Sequence, residues 1–119
     1  MISPLAYVDK EARIGANVTI HPFAYIDKNV EIGDNCTIMP YASILSGTRM
    51  GTDNIIYQGA IIGATPQDFK FKGEDTLLKI GNHNTIREKV ILNRGTNTTD
   101  CTIIGDGNFL LEGVHLAHD

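Results

Sequence analysis

The chain has no tryptophan, only two cysteines and no apolar run long enough to span a bilayer. Each shortage excludes something. Aromatic residues make up 7% of the 119 positions, so a core has to be filled with aliphatic side chains. Cys36 and Cys101 are too few for a disulfide-stapled fold and fit a reducing, cytoplasmic setting. A membrane-crossing helix needs about 20 consecutive apolar residues, and neither such a run nor a secretory-type N-terminus is present. Basic residues number 10 against 14 acidic ones, for a net charge of −4, which removes any electrostatic ground for a nucleic-acid partner. At 42% hydrophobic and 20% charged, the composition is not that of a disordered chain. The length suits one domain with a modest core.

What is present is a period. Every sixth residue from Ile2 is aliphatic: Ile2, Val8, Ile14, Ile20, Ile26, Ile32, Ile38, Ile44, Met50, Ile56 and Ile62. A second column four residues after the anchors is mostly small, at Ala6, Ala12, Val18, Ala24, Val30, Cys36, Ala42, Thr48 and Ala60. Glycine follows several anchors directly, at Gly15, Gly33, Gly51 and Gly63. A helix repeats near 3.6 residues, so a step of six would carry the anchors around its whole circumference. A plain strand repeats every two. Six suits a short strand plus a corner, with the anchor and one small residue inside. Three such sides close a triangular coil, so anchors eighteen apart stack: Ile2, Ile20, Ile38, Ile56; then Val8, Ile26, Ile44, Ile62; then Ile14, Ile32, Met50. The expected fold is all-β, a parallel β-helix of hexapeptide repeats, three per coil.

The period falters twice. "ATPQDFKFKGEDTLLK" (64–79) reads as an extruded loop, and "RGTNTTDC" (94–101) as a second, smaller one. Ile80, Ile86 and Leu92, then Ile104, Leu110 and Leu116, resume the pattern. Loops on a rigid scaffold commonly carry binding groups, so the interruptions are where function is expected. No anchor lies beyond Leu116 and no polar cap follows, so residues 1–119 are expected to form the N-terminal part of a longer β-helix.

The chain closes on "GVHLAHD" (113–119). His115 precedes an anchor and His118 lies two beyond it, so both should reach the outer surface or a groove. A histidine is the natural general base near neutral pH, and a carboxylate such as Asp119 can fix its tautomer. Neighbouring strand residues point to opposite faces, so Asp119 can help His118 only at a corner. A solvated or structural histidine pair is the alternative. His21 and His83 read as surface residues. Gln67, Asp68, Lys70 and Lys72 lie in the first loop, where alternating charge is often merely solvated. "NTIREKVILNRG" is expected to place Arg87, Glu88, Lys89 and Arg94 on successive coils, where the three cations among them could meet phosphates, or could pair with nearby acids. Cys36 fills the small inward column, and Cys101 has no evident partner. Neither shows a neighbouring base that would activate it.

Taken together and in order, the hexapeptide array, "QDFKFKGEDTLLKIGNHNTIREKVILNRGT" and "HLAHD" resemble the bacterial acyl-[acyl-carrier-protein]–UDP-N-acetylglucosamine O-acyltransferases, which open lipid A synthesis. The resemblance covers the whole chain and about the first half of a family member. It implies a left-handed coil, against the usual right-handed crossover preference. It implies a homotrimer with sites in grooves between subunits, no cofactor, and further coils and a helical region beyond residue 119. His118 would be the general base for the sugar 3-hydroxyl as it attacks the thioester of a 3-hydroxyacyl chain on acyl carrier protein. Asp119 would orient His118, His115 would be a second groove histidine, and Asp68 and Lys70, with Gln67 beside them, would contact the sugar nucleotide. No oxyanion donor is evident within the chain, so residues 1–119 by themselves are expected to lack acyl transfer.

Three other readings use the same residues: an acetyl- or acyltransferase of hexapeptide type drawing on coenzyme A, a zinc hydratase sharing histidines between subunits, and a non-catalytic β-helical scaffold.

Overall fold

The computed structural model describes residues 1–66, 72–73, 75–96 and 101–117, and every regular element among them is a short strand. The strands form three parallel sheets. A six-stranded sheet holds β1 (Tyr7–Val8), β4 (Tyr25–Ile26), β7 (Ser43–Ile44), β10 (Ile61–Ala64), β13 (Ile91–Asn93) and β16 (His115–Leu116). A five-stranded sheet holds β2 (Arg13–Ile14), β5 (Glu31–Ile32), β8 (Thr48–Met50), β11 (Leu78–Ile80) and β14 (Thr102–Ile104). The third, also five-stranded, holds β3 (Thr19–Ile20), β6 (Thr37–Ile38), β9 (Ile55–Ile56), β12 (Thr85–Ile86) and β15 (Phe109–Leu110). Successive strands visit the three sheets in rotation, which makes the chain a three-sided coil. The coil is left-handed.

The register is the one the anchors require. Ile14 pairs with Ile32 and Ile32 with Met50. Ile20, Ile38 and Ile56 stack in a second column, with Ile2 bridged to Ile20 at its foot. Ile26, Ile44 and Ile62 form the third. Ile20, Ile26, Ile38, Ile44, Ile56 and Ile62 are all fully buried. Burying one such side chain is worth roughly 1.5–3 kcal/mol, and the stack repeats it coil after coil.

The small inward column holds Val18, Ala24, Val30, Cys36, Ala42 and Ala60, all buried. Polar residues also enter the column: Thr48, and the asparagines Asn54 and Asn84, which are 0% and 1% exposed. Their amides are satisfied along the stack. Asn54 Nδ2 donates to Gly81 O (2.8 Å), and its Oδ1 accepts from the Asn84 N–H (2.8 Å). Asn84 repeats the pattern with Gly105 O and the Asn108 N–H (both 2.8 Å). The Cys36 thiol stands in the same column below them and reaches Gly51 O at 3.2 Å. Burial pushes its pKa up, which keeps it a thiol.

The corners have their own period. Three residues past most described anchors the backbone turns left-handed: at Asn17, Phe23, Asn29, Asn35, Tyr41, Gly47, Asp53, Gly59, His83, Lys89, Gly107 and Gly113. Asn, Asp and Gly tolerate that conformation, which explains most of the column. Phe23 (φ 68°) and Tyr41 (φ 65°) do not, and they occupy adjacent coils with their rings stacked at 5.4 Å.

Both interruptions leave the coil at the same corner, where the six-stranded sheet hands over to the sheet of β11 and β14. The step from Ile62 to its successor Ile80 is eighteen residues and that from Leu92 to Ile104 is twelve, where the regular coil needs six. At the first of these exits β10 carries a bulge. Ile62 pairs with Leu92 but Ala64 pairs with Asn93, leaving Gly63 extra, at φ 87°. A side chain on Gly63 would run into Thr48 Oγ1 and come within 3.0 Å of Leu45 O.

Candidate active-site corner

His115 is the one residue of the expected site that falls among the described residues. It opens β16 and pairs with Ile91 in the outward column of the six-stranded sheet, with its side chain exposed. That is the outer surface expected of a residue just before an anchor. Gln67, Asp68, Lys70, His118 and Asp119 lie outside the described residues.

A buried residue reaches His115 from the neighbouring coil. Asn93, 2% exposed, ends β13 where the second interruption begins. Its Oδ1 lies 2.6 Å from His115 Nε2. Its Nδ2 donates to Thr65 O at 2.7 Å, with Ala64 O a longer second acceptor at 3.5 Å. The bulge at Gly63 brings those two carbonyls over Asn93, because the extra residue shifts Ala64 into register with it. One amide thus joins three things: the strand before the second loop, the segment entering the first loop, and the exposed imidazole. Asn93 was not among the candidate residues read from sequence. The available signal was an asparagine directly after an anchor at a point where the period fails.

The same corner carries a shallow cleft of about 280 Å³ lined by Asp27, Leu45, Ser46, Ala64, Thr65 and Arg94 together with Gly63. Arg94 is tied into it from both ends. Its backbone N–H donates to Ala64 O (2.9 Å), and Nη1 lies 3.4 Å from Ser46 O. Asp27 is held by the backbone N–H groups of Lys28 (2.8 Å) and Ser46 (3.2 Å). The cleft therefore offers a fixed cation and a fixed carboxylate beside the roots of both loops.

Arg87, Glu88 and Lys89 are placed elsewhere. They sit past β12, one corner before Arg94, so the four fall on one coil and not on successive ones. Arg87 Nε pairs with Glu88 Oε1 at 2.9 Å and its guanidinium lies 4.3 Å over the Tyr57 ring. The hydrogen bond between them raises the arginine pKa and lowers that of the carboxylate. Lys89 is a left-handed corner residue. His83, also at a corner, lies 3.9 Å from Asp53, and His21 is half-buried. Among the described residues no group of three or more His, Cys, Asp or Glu side chains comes together.

The family model described as bacterial transferase hexapeptide (six repeats) matches residues 11–38 and 29–64. Over 118 residues the chain is 51% identical to the acyl-[acyl-carrier-protein]–UDP-N-acetylglucosamine O-acyltransferase of Chlorobaculum parvum, covering 99% of this chain and 45% of that protein. It superposes on the crystal structure of LpxA, a UDP-N-acetylglucosamine acyltransferase, from Bacteroides fragilis with a TM-score of 0.94 at 57% identity, over 99% of this chain and 46% of the other. The UDP-N-acetylglucosamine O-acyltransferase structure from Moraxella catarrhalis gives 0.95 at 43% identity, over 99% of this chain and 46% of that one.

This chain belongs to the UDP-N-acetylglucosamine O-acyltransferase family.

Family membership accounts for the fold from first coil to last, because identity and superposition run the length of the chain and are not confined to the repeats. The chain spans about half the length of the relatives it matches, 45% of the Chlorobaculum protein and 46% of the Bacteroides structure. Among the described residues no helix is long and apolar enough to cross a membrane.

Proposed function

We propose that this chain is the loop-bearing β-helix of an enzyme that transfers a 3-hydroxyacyl chain from acyl carrier protein to the 3-hydroxyl of UDP-N-acetylglucosamine, the opening step of lipid A synthesis in the cytoplasm. One observation carries the reading. Relatives named for this reaction are 43–51% identical over 99–100% of the chain, including both interruptions and the histidine-bearing end.

The chemistry follows from the residues. A sugar hydroxyl is a poor nucleophile, and a positioned general base contributes typically 10²–10⁴-fold. His118 takes the hydroxyl proton as the oxygen attacks the thioester carbonyl. The C–O bond forms, a tetrahedral oxyanion develops and collapses, and the carrier thiolate leaves and is reprotonated. Asp119 orients the base, while His115, Gln67, Asp68 and Lys70 hold the sugar nucleotide. The resulting order of roles fits a site at the corner where both loops emerge.

We further propose that the protein works as a homotrimer, with each site in a groove between two subunits. The outward column leading to His115 supports this: Tyr7, Tyr25, Ser43, Ile61 and Ile91 share it, and Tyr7, Tyr25 and Ile61 are 50%, 43% and 36% exposed. Exposed apolar residues aligned along one face suit burial against another subunit.

The test is product formation by the protein that carries this sequence, with radiolabelled UDP-N-acetylglucosamine and a 3-hydroxyacyl carrier protein. O-acylated sugar nucleotide is expected, with far slower transfer from the coenzyme A thioester. His118→Ala is expected to lower the rate by about 10²–10⁴-fold. Equal use of both donors, or an unimpaired alanine variant, would reject the assignment.

A further inference from the structure

We infer that Asn93 sets the working face of His115: its Oδ1 accepts a hydrogen bond from the Nε2–H and so leaves Nδ1 as a hydrogen-bond acceptor for a donor group, a hydroxyl or amide N–H, of the sugar nucleotide. The ligand half of this statement rests on the function proposed above. The Asn93 half does not.

The orientation of the Asn93 amide follows from its surroundings. The residue is 2% exposed, so water does not satisfy it. One end of the amide faces two backbone carbonyls, Thr65 O at 2.7 Å and Ala64 O at 3.5 Å. Carbonyl oxygens only accept, so the NH₂ end belongs there. Turning the amide over would press its own oxygen against Thr65 O at hydrogen-bond distance, with two acceptors in contact and a buried carbonyl left unpaired. The Oδ1 end therefore faces His115.

That decides the imidazole. An amide oxygen has no proton to give, and it lies 2.6 Å from Nε2. Nε2 must be the donor. A neutral imidazole carries one N–H, so Nδ1 keeps its lone pair. Nδ1 has no hydrogen-bond partner among the described residues, and the side chain is exposed at the corner where the loops emerge. A bare acceptor attracts hydroxyl and amide donors and repels phosphate oxygens. His115 in its neutral form therefore reads the sugar part of the substrate, and the diphosphate has to be met by other groups.

Asn93 is a positioning residue, acting through His115 and not on the substrate.

Nitrogen-15 NMR of the histidine side chains in this chain tests the assignment directly. Neutral wild-type His115 is expected to show a protonated Nε2, with an Nε2–H proton slow enough in exchange to be observed, and no Nδ1–H form. Asn93→Leu is expected to lose that proton signal and to show a mixture of both tautomers. Asn93→Asp keeps an acceptor toward the ring and, protonated on the oxygen that faces Thr65 O, keeps a donor there as well, and in that form is expected to retain it. The methyl spectrum of the buried isoleucine stack reports whether each variant still folds, and the aspartate variant answers the question if the leucine variant does not. A wild-type Nδ1–H tautomer, or the same Nε2–H protection in folded Asn93→Leu, would overturn the role given to Asn93. The ligand is tested separately on the wild type. UDP-N-acetylglucosamine is expected to shift the Nδ1 resonance, and inorganic pyrophosphate is not. The expected tautomer with no response to the sugar nucleotide would remove the ligand and leave Asn93's role standing, whereas a response from the other tautomer would do the reverse.

Discussion

Asn84 binds three coils through one side chain and one amide. Its backbone N–H reaches down to Asn54, while its own Oδ1 and Nδ2 reach up to the Asn108 N–H and Gly105 O. Asn84→Ala removes the partners of the Asn108 N–H and the Gly105 carbonyl, which are only part-buried, at about 0.5–1.5 kcal/mol each. Chemical denaturation should show a loss of roughly that size per orphaned group, unlike the near-neutral effect of alanine at an outward position. Charge at residue scale is a surface matter. Asp9 is held below the usual carboxylate range, first by the Glu11 backbone N–H at 2.9 Å and also by the Tyr7 hydroxyl at 3.0 Å. A depressed carboxylate stabilises the folded chain above its unfolded value of 3.8, and that contribution disappears as pH falls through the folded value. Melting temperature should therefore drop below pH 3.8 less steeply in Asp9→Asn than in the wild type. Identical slopes would mean that the Asp9 turn adds nothing to stability.

Among elements, β10 bears most directly on the proposed site. Its bulge is possible because position 63 lacks a side chain and sits at φ 87°, a conformation glycine adopts at little cost. Gly63→Ala meets both the left-handed backbone and the Thr48 hydroxyl. Strain of this kind costs about 1–3 kcal/mol, and straightening the strand is the obvious relief. A straightened β10 would withdraw Ala64 and Thr65 from Asn93. The variant is expected to keep the parallel stack by circular dichroism while losing the protected His115 Nε2–H signal. Retention of that signal would show that the bulge and the histidine are independent. The contrast with the regular corners is instructive. At Lys89 a non-glycine residue takes the left-handed turn with its side chain exposed.

For the whole molecule, the decisive question is what covers the outward column of the six-stranded sheet. The inner stack is complete without it, so substitutions on this face should disturb assembly and not folding. Sedimentation of the wild type is expected to give a trimer. Ile61→Glu or Tyr25→Glu should shift the distribution toward monomer with the melting of the inner stack unchanged. A wild-type monomer would remove the proposed groove, and the site would then have to be completed within one subunit. The inner stack also explains why the fold was so legible beforehand. A hexapeptide coil repeats one local decision, an aliphatic residue inside and a turn three positions later, so each repeat declares itself in sequence without knowledge of distant contacts.

The sequence alone therefore determined the architecture: the three stacked columns, the two points of interruption and the exposed position of His115 all follow from which residues recur every six. It did not reveal the polar members of the interior. Asn54 and Asn84 read as breaks in an apolar column, because their partners are backbone groups of the next coil, brought near by stacking and not by spacing. Asn93 is the clearest case. Its acceptors at Ala64 and Thr65 lie twenty-nine and twenty-eight residues away, and its histidine lies twenty-two residues ahead. A hydrogen bond depends on distance and direction in space, and only the closed coil, with the bulge in β10, brings those three segments to one corner.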